Sequence, residues 1–224
     1  CALPISLGRL IDRNYLNSLG WRGIRERKRH LQRAIAAAAE RIRLKGRAVR
    51  ILDIAAGHGR YVLDAVARLR ERPDSILLRD YSDINVAGGT ALIKERGLES
   101  VAIFAKGNAF DESGLKEITP RPNLAIVSGL YELFPENDQV QVSLRGLAGA
   151  VERGGCLIYT GQPWHPQLEL IARTLTSHRN GRPWLMRRRS QAELDELVAR
   201  AGFRKLEQWT DDWGIFTVSL AERS

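Results

Sequence analysis

The chain has 224 residues, 44% of them hydrophobic and 27% charged, and carries a formal net charge of +9. That length suffices for one domain with a sizeable core, and no apolar run approaches the roughly 20 residues that a membrane-spanning helix needs. Cys1 and Cys156 are the two cysteines, which argues against a disulfide framework or a cysteine metal site and fits a reducing cytoplasm. The Arg-rich N-terminal stretch lacks the apolar core of a secretory signal. A start on Cys rather than Met fits a processed or excised piece of something longer.

The charge is unevenly placed. Residues 1–50 hold 13 Lys or Arg against Asp12, Glu26 and Glu40, a net of +10, so the remainder is nearly neutral at −1. From Arg22 to Leu44, Ile24, Leu31, Ile35, Ala38 and Ile42 recur on one helical stripe, with Arg25, Arg27, Lys28, Arg29, Arg33, Arg41 and Arg43 between them. Residues 1–48 are therefore expected to be a basic helical segment packed on the body, its cations on a solvated face. The competing readings are contact with anionic lipid head groups at the inner face of the membrane, or with nucleic-acid phosphates. Base-stacking aromatics are not interleaved with the cations, which disfavours nucleic acid.

From residue 49 onward strands and helices alternate. "VRILDI" is a strand, followed by a helical "YVLDAVARLRER" closed by Pro73. "SILLRD" is the second strand, leading to a helix over about 85–96. "VAIFAKG" and "NLAIVSG" are the third and fourth strands. A helix over about 138–151 precedes the fifth, "CLIYTG". Helices fit 167–177 and 191–201, and the end reads as a hairpin of "FRKLEQWT" and "WGIFTVSLA" around Asp211 and Asp212. This alternation specifies an α/β fold over residues 49–224: a mostly parallel sheet with helices on both faces and an antiparallel C-terminal hairpin.

The first strand ends at Asp53, and Gly57 and Gly59 follow in the turn before a helix. Glycines there allow close approach of a ligand to the backbone. A phosphate-cradling P-loop needs a Gly-Lys-Ser/Thr ending that is missing, and a dinucleotide fingerprint needs a third glycine where Val62 stands. What remains is a ligand without phosphates at this loop, with Asp80 at the second strand's tip placed to accept from two ribose hydroxyls.

At this point the sequence resembles the class I S-adenosylmethionine-dependent methyltransferases, over roughly Val49 to the C-terminus. "LDIAAGHGRY" is similar to the family's D-x-G-x-G-x-G loop with Ala55 in place of its first glycine. "RDYSDINV" is similar to its acidic second motif, and "AKGNAFD" to its third with Asn108 in place of Asp. "PNLAIVSGLYELF" and "VERGGCLIYTGQPW" match the fourth and fifth strands with their loops. More closely, "SGLYELFPEN", "YTGQPWHPQLE" and "MRRRSQAELDELVARAGF" resemble bacterial methyltransferases sometimes fused behind an α/β-hydrolase domain, a fused or neighbouring partner.

The resemblance implies a Rossmann-like methyltransferase fold with a seven-stranded sheet, and S-adenosyl-L-methionine as cofactor. It implies that Ala55, Gly57 and Gly59 line the methionine arm while Asp53 orders the loop. Asp80 would hold the ribose and Tyr81 cover the adenine. Asn108, Ala109 and Phe110 would contact the adenine edge, with Ser128 and Gly129 closing the floor near the reactive methyl. Candidate acceptor-side groups are Tyr131, Glu132 and His165, beside Gln162 and Trp164; Arg187, Arg188 and Arg189 read first as a solvated face, otherwise as an anion site. The expected activity is in-line methyl transfer to a small-molecule or lipid-type acceptor. The alternatives are an RNA methyltransferase and a non-catalytic S-adenosylmethionine-binding module. Ser128-Gly129-Leu130-Tyr131 occupies the place of the Asn/Asp-Pro-Pro-aromatic motif of base-amine methylating relatives, which disfavours that target.

Overall fold

The computed structural model describes residues 5–175 and 183–224. In chain order the elements are α1 (Ile5–Leu16), α2 (Leu19–Leu44), β1 (Arg50–Asp53), α3 (Arg60–Val66), β2 (Ser75–Asp80), α4 (Asp83–Glu95), β3 (Ala102–Lys106), α5 (Glu112–Lys116), β4 (Leu124–Val127), a 3-10 turn (Tyr131–Leu133), α6 (Asn137–Ala150), β5 (Cys156–Gly161), α7 (Leu168–Thr174), α8 (Gln191–Arg200), β6 (Phe203–Thr210) and β7 (Thr217–Arg223). The strands form one seven-stranded sheet in the order β3-β2-β1-β4-β5-β7-β6. β3 to β5 run parallel, and β7 lies antiparallel between β5 and β6. This is the Rossmann-like, mostly parallel architecture with helices on both faces.

Strand alternation builds two cores. Ile51, Ile76, Leu124, Ile126 and Ile158 face one side, where α2, α3 and α4 bury Leu31, Ile35, Ile42, Val62, Leu63 and Leu92. Leu52, Ala125, Val127, Leu157 and Tyr159 face the other, under Leu115, Leu144, Leu147, Leu194 and Leu197 of α5, α6 and α8. β4 and β5 are buried along their whole length, as parallel strands covered on both faces must be.

α2 belongs to the first of these cores, with Ala34, Ala38 and Ala39 letting it lie close to the sheet. Its basic face is less solvated than the sequence pattern suggests. Lys28 pairs with Asp64, Arg43 with Glu71 and Lys45 with Glu222, and just beyond the helix Arg47 and Arg50 share Glu152. Four acids of the body thereby engage five of the thirteen N-terminal cations.

Where elements differ from expectation, local hydrogen bonding explains it. The pattern through Arg72 does not continue α3, because Arg68 and Leu69 turn back tightly onto the carbonyls of Ala65 and Val66. α4 begins earlier than expected because Asp80 takes the Ser82 amide and the Asn85 side chain. α5 is only one turn, capped by Asp111 on the Gly114 amide, too short to show helical periodicity. The hairpin's second strand starts at Thr217 because Asp211 gathers the amides of Trp213, Ile215 and Phe216 into a turn. The expected end of the helix after Gln167, residues 176 and 177, lies outside the described residues.

Candidate active site

Sequential strands β1, β2 and β3 run outward in one direction, then β4 starts on the other side of β1. The reversal opens a crevice beyond the carboxyl ends of β1 and β4, where ligands of such sheets bind. The loop after β1 crosses it. Gly57 and Gly59 both hold positive φ, 57° and 68°, which a residue with a β-carbon adopts only under strain. The two have different surroundings. A β-carbon on Gly59 would lie 2.3 Å from Leu78 Cδ1, whereas one on Gly57 would meet nothing within 4 Å. Gly59 is thus demanded by packing, and Gly57 faces open space. Val62, where a dinucleotide loop has its third glycine, is fully buried and fills the helix–sheet contact instead.

Asp53 is wholly buried at the end of β1. Its carboxyl accepts from the Ala55 amide at 3.4 Å and from the Tyr61 hydroxyl. Burial pushes its pKa up from 3.8 to about 7, opposed by those two hydrogen bonds and reinforced by the nearby Asp80. The linkage sign follows: a folded-state pKa above the unfolded one gives stability present in full below pH about 4 and lost as pH rises through about 7. Asp53→Asn keeps the Tyr61 donor satisfied without ionising. Urea unfolding at pH 5 and pH 8 is expected to show wild type losing more stability than the variant over that interval; parallel losses would assign Asp53 an ordinary carboxyl.

Asp80, half-buried at the tip of β2, binds the loop from the other side. Its Oδ2 accepts from the Gly57 amide at 2.9 Å, and its Oδ1 from Ser82 at 2.9 Å and Asn85 at 3.0 Å. Tyr81 beside it is 74% exposed, a free aromatic face at the rim. After β3, Asn108 Oδ1 accepts from the Phe110 amide at 3.0 Å, so the amide oxygen shapes its own turn. Ala109 is buried below, and Phe110 lies 4.3 Å from Phe134 between ring centroids. Past β4, Ser128 is half-buried, and the Gly129 amide donates to Thr160 Oγ1 at 2.9 Å with φ 68°. The strand order brings the β1, β2, β3 and β4 tips to one edge of the sheet.

The three acceptor-side candidates fare differently. Tyr131 does not fit a reacting role: it is 2% exposed, and its hydroxyl meets Ser143 Oγ at 3.0 Å under α6. His165 is buried beneath α2, with Nδ1 accepting from the Gln167 amide at 3.1 Å, the opposite edge of its ring against Gly20, and its ring 6.2 Å from Phe216. Burial lowers its pKa, which favours the neutral ring. Glu132 is buried at the crevice, its carboxyl raised by desolvation and partly offset by Arg27. Gln162 is buried with its amide on the Met186 sulfur, and Trp164 is partly exposed, donating to the Trp213 carbonyl.

Three residues of the site escape a sequence reading. Tyr61 reaches back to Asp53 from α3. Arg27 of α2 lies 4.6 Å over the Phe216 ring and 3.6 Å from Glu132 Oε1. Arg189, which reads as part of a solvated Arg run, is instead 5% exposed and ties down the loop that carries Glu132. It donates to the Tyr131, Phe134 and Pro135 carbonyls and to Asn137 Oδ1 at 2.5 to 3.0 Å. Arg187 assists on Pro135, Asn137 and Glu193, while Arg188 stays exposed. Nothing but proximity in the fold separates these arginines from ordinary surface cations in the sequence.

Comparison with known proteins agrees with this geometry. Residues 4–223 match the family described as "Putative methyltransferase". The chain is 62% identical over 218 residues to the uncharacterized protein YnbC of Escherichia coli strain K12, covering 97% of this chain and 37% of that longer relative. Among solved structures, an O-methyltransferase family protein from Burkholderia thailandensis superposes with a TM-score of 0.63 at 16% identity, over 87% of this chain and 56% of that one. The O-methyltransferase NcsB1 of neocarzinostatin biosynthesis, solved with S-adenosyl-L-homocysteine and 1,4-dihydroxy-2-naphthoic acid, gives a TM-score of 0.61 at 18% identity, over 78% of this chain and 49% of that one. With nearly its whole length matched and the sheet order of the fold in place, the chain belongs to this methyltransferase family.

Proposed function

We propose that the protein is an S-adenosyl-L-methionine-dependent methyltransferase acting on a small-molecule or lipid-type acceptor. The observation that carries the reading is Gly57: its positive φ, its open side and its amide tied to Asp80 leave a backbone surface open to a ligand beside the Asp80 carboxylate, which would hold the ribose. The residues present fit that group. Asp80 Oδ2 accepts one internal bond and retains acceptor capacity. Tyr81 offers a ring face for the base, and Ala55 and Ala109 keep the walls small. The related structure with S-adenosyl-L-homocysteine supports the same ligand.

The bound sulfonium supplies an activated methyl carbon. This chain's own task is alignment: the glycine loop and Asp80 would fix the donor, and Glu132, Arg27 and the Phe216 ring would fix the acceptor across the crevice. Holding two reactants in line can supply on the order of 7–11 kcal/mol of the barrier. Nucleic acid is the weaker partner, because five of the thirteen N-terminal cations are already engaged by Asp64, Glu71, Glu152 and Glu222 and base-stacking aromatics are not interleaved with the rest. No helix among the described residues is long and apolar enough to cross a membrane. Isothermal titration is expected to show binding of S-adenosylmethionine and S-adenosylhomocysteine and no comparable binding of NAD or ATP. Tight NAD binding without either adenosyl ligand would end this reading, and binding without methyl transfer to any extract component would leave a non-catalytic module.

A further inference from the structure

Arg27 and Glu132 form a pair that the fold leaves incomplete. Both are largely withdrawn from water, with side chains 19% and 8% exposed, yet Nη1 and Oε1 stand 3.6 Å apart. An engaged Arg–carboxylate pair closes to about 2.7–2.9 Å, often through two parallel bonds. Among the described residues the Arg27 guanidinium donates no hydrogen bond, and the Glu132 carboxylate takes only its own backbone amide. Neither side chain has a polar atom sealed from solvent without a partner, so both keep hydrogen-bonding capacity that a group entering the crevice can take up. Their position is also specific. The Arg27 guanidinium nitrogens lie 3.6 Å from the point where a Gly129 side chain would begin, and its charge is felt by the Tyr61 hydroxyl beside Asp53. Phe216 underlies it as an apolar floor. The pair therefore sits between the glycine loop and the acceptor side of the crevice.

We propose that Arg27 and Glu132 form the acceptor subsite, and that the acceptor group is the neutral hydroxyl of a phenol or enol, methylated on oxygen. The inference rests on the methyltransferase reading above and adds the chemistry of the acceptor. The two charges disfavour a fixed ion: an anion is attracted by Arg27 but repelled by Glu132, and a cation meets the reverse. A neutral group that donates and accepts at one atom satisfies both within ordinary hydrogen-bond reach. Among such groups a phenolic or enolic hydroxyl is acidic enough to pass its proton to a carboxylate, which an alkyl alcohol or an amine is not. As the oxygen attacks the methyl carbon, the Glu132 carboxylate takes the hydroxyl proton and Arg27 stabilises the charge developing on oxygen. The carbon–sulfur bond breaks with its electron pair on sulfur. The products are a methyl ether, a neutral thioether and a protonated Glu132, which returns its proton to water.

The test uses the whole chain loaded with S-adenosylhomocysteine and three probes of one shape: 4-nitrophenol, 4-nitroaniline and 4-nitrobenzoate. Wild type is expected to bind 4-nitrophenol in preference to the other two, with its phenolate absorbance band appearing at lower pH than for the free phenol. R27Q and E132Q are each expected to weaken phenol binding by about 10-fold to 100-fold. Both should retain their affinity for S-adenosylhomocysteine, which shows that they are folded. Preference for the aniline or the benzoate, no probe bound by a protein that holds S-adenosylhomocysteine, or phenol binding unchanged in both variants would each overturn the proposal. So would an R27Q variant that loses S-adenosylhomocysteine but keeps methylthioadenosine, because Arg27 would then hold the amino-acid carboxylate of the donor. A wild type that fails to bind S-adenosylhomocysteine at all sinks the methyltransferase reading itself.

Discussion

Arg189→Met is expected to cost about 3 kcal/mol or more of folding stability, although it lies in an arginine run that reads as surface. Hydrogen bonds from a charged donor are each worth roughly 1.5–3 kcal/mol, and their loss strands the acceptors they satisfied. Arg189 is 5% exposed and serves four acceptors at once: three carbonyls between Tyr131 and Pro135, and the Asn137 side chain at the start of α6. Methionine fills much of the same volume but offers none of these donors. The Glu132 loop would lose its main tether together with the stability. Urea unfolding checks the size of the effect. A midpoint within the roughly 0.5 kcal/mol typical of surface substitutions would mean that the tether is not needed. Arg189→Lys separates charge from geometry: one ammonium cannot reach all four acceptors, so an intermediate loss is expected.

How far the fold was legible follows from where its information is local. β2, β5 and β6 have the predicted bounds: apolar runs ended by Asp or Gly mark β2 and β5, and β6, a mainly polar strand, is framed by Gly202 and the Asp211-Asp212 pair. The strand order was not legible, since alternation alone does not say which side of β1 receives β4. The glycine loop was legible because backbone demands leave a signature in residue type. Glu132 was legible only as a position after β4. Its partner Arg27 is more than a hundred residues away on a helix whose cations all look alike. Tyr61 and Arg189 were hidden for the same reason: a buried hydrogen bond is made by the tertiary fold, and one residue in an Arg-Arg-Arg run turns inward without any change of composition. Tyr131 shows the converse error, where an attractive residue type next to the site points its hydroxyl at Ser143 in the core.

Asp80→Ala is expected to weaken S-adenosylhomocysteine binding by roughly 2–4 kcal/mol, through loss of charge-assisted acceptors for a ribose. The structure adds a second consequence. The carboxylate also receives the amides of Gly57 and Ser82 and the side chain of Asn85, so it fixes the glycine loop to the start of α4. Alanine removes ligand recognition and loop order together, and a stability loss of about 1 kcal/mol is expected beside the affinity loss. Asp80→Asn divides the two. Its single carbonyl oxygen can still take one loop amide, but it no longer offers a charge to a diol. Calorimetric titration should therefore show Asn near Ala in affinity, while urea unfolding places Asn near wild type in stability. If Asp80→Ala binds S-adenosylhomocysteine as tightly as wild type, the ribose is held elsewhere. The next candidate is Asp83, exposed on the first turn of α4 and paired with Lys106; its alanine variant would then carry the loss.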